Sequence, residues 1–225
     1  MYSIVISAKI KWSTMPTQNK IDYLHQVIEE VTKLIATADE SGLAASRLKE
    51  FIDFRTSLIQ ESDRGSVLMA AAFIEDKLGY LLESYFVENE KICKQLLKSN
   101  GALATFSSKI DLAFLLGLIP KNIFDDLHLL RKIRNEFAHT ASKISFETAS
   151  IKDRTKALSA LSKEMLRDDT KAYFMRSMTS ILTAINMKME SFERCTVQDN
   201  FDVDIFDKSL KTVEEGLSQY DSQTS

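Results

Sequence analysis

One apolar run constrains the fold of this chain more than any other feature. From Val67 to Phe86 the apolar residues recur at helical spacing and cover most sides of the helix that they would form. Three small residues near its start, Ala70, Ala71 and Ala72, would let a neighbouring helix approach closely. Such a helix has to be buried, so the sequence predicts a central core helix surrounded by others.

The composition also favours helices. The chain has 225 residues, of which 44% are hydrophobic, and it contains only two Pro and six Gly. An all-β fold would need many more turn residues, so we predict an all-α bundle. Apolar spacing and capping residues predict other helices at about 17–41, 44–59, 92–98, 106–116, 121–139 and 169–192, and one helix or a pair of helices over about 150–166.

The two ends of the chain differ from the middle. Residues 1–15 alternate apolar and polar side chains with the period of a strand, which has no obvious partner in a helical protein. The tail at 196–225 is acidic and weakly patterned, although apolar residues from Val203 to Leu217 would suit a docking helix. We therefore predict an N-terminal extension at 1–15, a helical domain at 16–195 and a C-terminal tail at 196–225.

Charge and cysteine content limit the class of protein. A formal net charge of −3 provides no global attraction for nucleic acid, so RNA binding would need a local basic patch. Cys93 and Cys195 are far apart and are interpreted as small buried or half-buried hydrophobic residues, which suits a reducing cytoplasm. No run reaches the roughly 18 apolar residues of a membrane span. We expect a cytoplasmic protein that has no membrane partner.

The candidate functional site is the stretch from Arg134 to His139, at the end of an amphipathic run. Arg134 carries a permanent charge that suits phosphate, and His139 belongs to the residue type that titrates near neutral pH. Asn135 follows the arginine directly. Because no other stretch combines a phosphate-binding group with a proton-transfer group, the candidate catalytic residues are Arg134, Asn135 and His139.

Helix geometry separates two of these residues. Positions five apart lie about 140° from each other around a helix, so Arg134 and His139 of one straight helix point to different sides. Asn135 and His139, four apart, share a face. Two solutions remain: the helix ends before His139, or a second copy of the motif faces the first across a two-fold axis.

A cleft built in this way would suit RNA cleavage. The histidine can take the 2′-hydroxyl proton or donate one to the leaving oxygen, and the arginine can stabilise charge on the phosphoryl oxygens. This chemistry requires no metal, and we predict no cofactor and no metal site. A structural alternative is equally open, in which Arg134 pairs with Asp125, Asp126 or Glu136 and His139 lies at the helix C-terminus, where a cation is favourable.

Two segments, Gly101–Ile119 and Leu130–His139, resemble the mannitol operon repressor family, and the segment that starts at Asp63 is similar too. The R-N-x-x-x-H signature also resembles HEPN domains, which are all-helical modules of many prokaryotic toxin and defence ribonucleases. This second resemblance implies a HEPN-like helical bundle, here with extra N-terminal helices and a C-terminal tail. It also implies a homodimer with a composite site, in which Arg134 and His139 are catalytic and Asn135 is supporting.

These observations lead to competing hypotheses. The first is a metal-independent endoribonuclease that acts on RNA as a homodimer, as a toxin or defence effector whose cleft an antitoxin could cover. The second is a non-catalytic transcriptional regulator that binds another protein through its helical faces. No helix-turn-helix with a basic recognition helix is evident, so direct reading of DNA is not expected.

Overall fold

The computed structural model describes residues 43–98, 100–162, 169–197 and 203–224. Within these ranges the chain forms eight helices and no strand, which confirms the all-α prediction. The described residues divide into two compact units, one ending at Arg194 and the other beginning at Cys195. The predicted strand in residues 1–15 and the predicted helix near 17–41 lie outside the described residues.

The first unit contains seven helices. They are α1 (Leu43–Gln60), α2 (Asp63–Tyr85), α3 (Glu90–Leu97), α4 (Phe106–Leu115), α5 (Lys121–His139), α6 (Ala149–Ala157) and α7 (Thr170–Glu190). Helix α2 packs against α1, α4, α5 and α7, which makes it the central helix, as predicted. Helix α6 lies against both α5 and α7.

Helix α2 begins earlier than the sequence pattern indicated. The sequence from Asp63 to Ser66 interrupts the apolar pattern and is expected to cap the helix, but Asp63 already belongs to the helix. Ser62 is the N-cap, and its side chain accepts a hydrogen bond from Gly65 N at 3.0 Å. A carboxylate in the first turn also suits the helix dipole, so both local signals favour this earlier start.

The core of the first unit is apolar and continuous. Ala70 and Ala71 are buried as predicted, whereas Ala72 is exposed and takes no part in close helix packing. Phe146 links two helices, with ring centroids 5.8 Å from Phe137 and 5.1 Å from Phe174. Fully burying one such side chain contributes about 1.5–3 kcal/mol, so this cluster holds the loop after α5 against the bundle.

The turn between α4 and α5 fixes the direction of α5. Gly117 has a φ of 66°, in the left-handed region that favours glycine. Its N–H donates to Phe114 O at 2.9 Å, and Leu118 N donates to Ala113 O at 2.9 Å. This pair of bonds is a Schellman motif, and the helix ends at the predicted glycine.

Several other boundaries differ from the predictions. Of the helix or pair of helices predicted at 150–166, α6 forms the first part and ends at Ala157, and residues 163–168 lie outside the described part. Helix α7 ends at Glu190, so Phe192 packs on the ring of Tyr85 from a non-helical segment. Cys93 is buried as expected, but the interpretation of Cys195 as at least half-buried is wrong because it is exposed.

The second unit contains α8 (Val203–Thr224), a helix of 22 residues. It lies where the sequence indicated a docking helix. The described side chains from Val203 to Tyr220 are all exposed, including those of its apolar residues.

Candidate functional site

Helix α5 carries the candidate motif on its last two turns. Pro120 is the N-cap residue, where its missing N–H costs nothing, and the helix continues to His139. One side of α5 faces the core through Leu127, Leu130 and Ile133, each fully buried. This packing fixes the rotation of the helix and therefore the directions in which the motif side chains point.

The motif side chains lie at the surface. Arg134 and His139 are exposed and Asn135 is half-buried. Arg134 Nη1 donates a hydrogen bond to Asn135 Oδ1 at 3.0 Å, so the structure brings these two residues together. Among the described residues, no hydrogen bond or ion pair joins His139 to either of them.

The helix stays intact through His139, and Thr140 N still donates to Glu136 O at 3.1 Å. The solution in which α5 ends before His139 is therefore wrong. Arg134 and His139 keep the separation of about 140° that a regular helix imposes. A single chain does not aim both side chains at one phosphate, and only a second copy could complete such a cleft.

The acidic residues proposed as partners of Arg134 are engaged elsewhere. Asp125 accepts from Lys121 Nζ at 2.6 Å, and Glu136 contacts Ser150 and Arg154. The buried Asp126 carboxylate accepts from Ser159 N at 2.9 Å and from Ala160 N at 2.6 Å. The structural alternative for Arg134 is thus not what the described residues show, whereas His139 does lie in the last turn of α5.

The segment that follows His139 is held by the start of α2. Arg64 Nη2 donates to Thr140 O at 2.7 Å, and Asp63 Oδ2 accepts from Phe146 N at 3.1 Å. Asp63 also pairs with Lys171 at 3.3 Å. From the sequence, Arg64 beside Asp63 is expected to belong to a local cap. Its contacts with the segment after His139 are not visible in the sequence because those residues lie far along the chain.

A basic surface precedes the motif on α5. Lys132 and Arg134 are exposed, while Arg131 is half-buried. Within the described part of the chain, Arg131 Nε is buried and has no hydrogen-bond partner. Leaving a buried N–H without an acceptor destabilises the protein. A ligand that placed an acceptor atom within hydrogen-bond distance of Nε would therefore bind more tightly.

The sequence also carries expectations for three other side chains: Glu75 is expected to form a structural ion pair and could reach Arg134, and His25 and His128 are expected to be surface or core residues. Glu75 forms an ion pair, as favoured, but with Lys109 at 3.3 Å rather than with Arg134. His128 is half-buried and lies 3.1 Å from Asp111 Oδ1, in keeping with a structural role. His25 lies outside the described residues.

Neither a metal cluster nor a membrane helix is present in the described ranges. No three His, Cys, Asp or Glu side chains there converge as metal ligands would. None of the helices described is long and apolar enough to cross a bilayer.

A family model described as "Mannitol repressor" (MtlR) matches residues 58–196, well over half of the chain. The chain belongs to the mannitol repressor family. The match includes the whole of α2–α7 and therefore the motif on α5, whereas α8 lies beyond it. The predicted resemblance to this family is thereby confirmed.

A solved structure also contains a chain that is similar to this mannitol repressor family member. A chain in the X-ray structure of the MtlR–HPr complex from Escherichia coli has 17% sequence identity and a TM-score of 0.49. The similarity covers 59% of this chain and 98% of that chain. None of the curated proteins matches the sequence significantly.

Proposed function

We propose that this protein is a non-catalytic regulator of the mannitol repressor kind, which acts by binding another protein through its helical faces. The observation that carries the proposal is the family match over residues 58–196, which includes the central helix and the helices packed on it. The geometry of α5 supports it, because one chain does not bring Arg134 and His139 onto a common phosphate. The net charge of −3 also disfavours direct attraction to nucleic acid.

A binding experiment tests this proposal. The purified full chain is titrated with HPr from the same organism, HPr being the protein named in the E. coli complex, and heat is recorded by calorimetry. We expect saturable binding, and we expect Arg134→Ala and His139→Ala to change the Kd by less than about threefold, or about 0.6 kcal/mol. A dissociation constant that rises tenfold or more in both variants, or no binding of HPr, would count against this form of the proposal.

A second candidate function is supported by the free surface position of the motif. Arg134 is exposed, and the three acids nearest in sequence are engaged elsewhere, so its guanidinium is positioned to meet a ligand. We propose as this alternative a metal-independent endoribonuclease in which two copies form one cleft. His139 of one copy would move the 2′-hydroxyl proton while Arg134 of the other neutralises the phosphate. Asn135, bonded to Arg134, would orient the guanidinium. An antitoxin or regulatory protein that covered this end of α5 would block the cleft.

Cleavage of RNA in EDTA distinguishes the two candidates. The ribonuclease proposal expects a loss of about 10²–10⁴-fold in His139→Ala. The matched control is His128→Ala, which removes a half-buried histidine bonded to Asp111. If the cleft is composite, mixing Arg134→Ala with His139→Ala chains restores activity, because the mixed dimer keeps one intact pair: His139 of the first variant and Arg134 of the second. Wild-type protein without activity, or equal cleavage by His139→Ala, excludes this candidate.

A further inference from the structure

Helix α8 carries a regular apolar seam. Six of its apolar residues follow the alternating three- and four-residue steps of a heptad repeat, at its a and d positions. They are Val203, Phe206, Leu210, Val213, Leu217 and Tyr220. A stripe restricted to a and d positions is the narrow seam by which one helix packs on another in a coiled coil.

The middle of the seam is exposed. Leu210 is 46% exposed, Val213 59% and Leu217 60%. These three residues occupy consecutive a, d and a positions, and the argument depends on them. Large apolar side chains aligned on one stripe, rather than scattered singly, mark an interaction surface.

The charges beside the seam select its partner. The e positions carry acids, Asp207 and Glu214, whereas the g positions carry the uncharged Ser209 and Gly216. In a parallel pair of two copies, Glu214 would meet Ser209 of the other copy. In an antiparallel pair, acidic e positions would meet each other. A second copy therefore supplies no opposite charge in either orientation, and a helix with basic flanks supplies it in both.

We propose that the seam of α8 is a docking site for a basic amphipathic helix of another protein. Its apolar residues would interlock with Leu210, Val213 and Leu217, and its Lys or Arg side chains would pair with Asp207 and Glu214. The site lies outside residues 58–196, so it goes beyond the proposed functions and does not depend on them. The acidic edge adds selectivity for charge, while the apolar seam provides most of the binding energy.

The test uses the full chain and two synthetic helices of three heptads. Both peptides have Leu at a and d; one has Lys at e and g, and the other has Glu there. Fluorescence anisotropy is expected to show about tenfold tighter binding of the Lys peptide, since each pair contributes up to about 1 kcal/mol. The double variant Asp207→Lys, Glu214→Lys should reverse this preference. Equal binding of both peptides, or no binding of either, overturns the proposal.

Two matched variants distinguish binding through the apolar seam from nonspecific attraction between charges. Leu210→Ser removes a seam side chain and should weaken the Lys peptide at least tenfold, whereas Lys208→Ser, on the opposite side of α8, should change its affinity less than threefold. Circular dichroism of each variant confirms that the helix remains. Sedimentation of the chain alone tests the rival occupant: a dimer that Leu210→Ser dissociates would show that a second copy covers the seam. That result would also overturn the proposal.

Discussion

Tyr173 is a fully buried phenol in the core of the first unit. Its hydroxyl donates to Leu158 O at 3.0 Å and lies 3.3 Å from Leu161 O. Burial, and secondly the nearby Asp126 carboxylate, raise the pKa of Tyr173 above its ordinary value. The neutral phenol is therefore the form that stabilises the fold.

This environment predicts a specific loss of stability in alkali. The raised pKa means that Tyr173 stabilises the fold fully below the pKa of about 10 of an unfolded tyrosine, and that this contribution falls as the pH rises towards the folded pKa. Tyr173→Phe removes the titration and costs about 1 kcal/mol near neutral pH through the lost hydrogen bond. The free-energy gap between the two proteins should then shrink above about pH 10, by up to about 1.4 kcal/mol per pH unit.

Urea unfolding of both proteins at several pH values measures this gap. The comparison cancels the titration of lysines and of other tyrosines, because both proteins share them. A gap that stays constant from about pH 9 to about pH 11 would contradict the assignment of the raised pKa to Tyr173.

At the residue scale, the sequence predicted the motif but not its surroundings. Arg134, Asn135 and His139 were found because they are adjacent in sequence and chemically distinctive. The roles of Arg64 and Asp126 were missed because their hydrogen-bond partners are 76 and 33 residues away, respectively. Side-chain contacts over such distances depend on how the helices pack, which no local pattern records.

At the scale of elements, Gly117 terminates α4 and sets the entry to α5. Replacing it with alanine would place a Cβ on a backbone with φ 66°, which costs about 1–2 kcal/mol although nothing lies within 4 Å of the new atom. Gly216 is the matched control, since it lies in α8 with similarly open space around it. Gly216→Ala should raise helix content, because alanine favours a helix by about 1 kcal/mol.

Denaturant unfolding of Gly117→Ala and circular dichroism of Gly216→Ala measure the two effects. Gly117→Ala is expected to destabilise the protein, whereas Gly216→Ala is expected to stabilise its helix. This difference shows that the backbone conformation at residue 117, and not the loss of a glycine as such, causes the destabilisation. If Gly117→Ala is as stable as the wild type, the left-handed turn does not determine how α4 ends.

Helix existence was predictable in this chain, whereas some helix ends were not. The helices α1 to α5 have capping residues or periodic apolar positions that mark them in the sequence. Of the two capping candidates for α4 in the sequence, Thr105 and Ser107, Thr105 is the cap. Helix α6 ends at Ala157 because Ser159 N and Ala160 N donate to the Asp126 carboxylate instead of continuing the helical ladder. That contact comes from α5, so the pattern within residues 150–166 does not reveal it.

At the scale of the whole molecule, the core of the first unit contains no described residue after Phe192. Removing residues 196–225 should therefore leave its melting temperature within about 3 °C of the full chain, since a larger shift would need roughly 1 kcal/mol. Calorimetry of the truncated protein measures this. A truncation that begins at Ile185, a fully buried residue of α7, is the destabilised control.

This experiment also tests the proposed boundary between the helical domain, which ends at residue 195, and the tail at 196–225. Unchanged melting of the shorter chain supports a domain that folds without the tail. A fall in melting temperature comparable to that of the Ile185 truncation would show that the tail belongs to the folded domain.

The hydrogen bonds that Asp63 and Arg64 form with the segment after His139 affect the order in which the chain folds. The Phe146–Asp63 hydrogen bond joins residues 83 positions apart, and the Arg64–Thr140 bond joins residues 76 apart. Bringing together two residues so far apart in the chain loses conformational entropy before any contact compensates for it. The side chains of Asp63 and Arg64 are also not in position to form these bonds until the first turn of α2 has formed. The segment from Thr140 to Phe146 should therefore be among the last parts of the protein to become ordered, well after α5 itself.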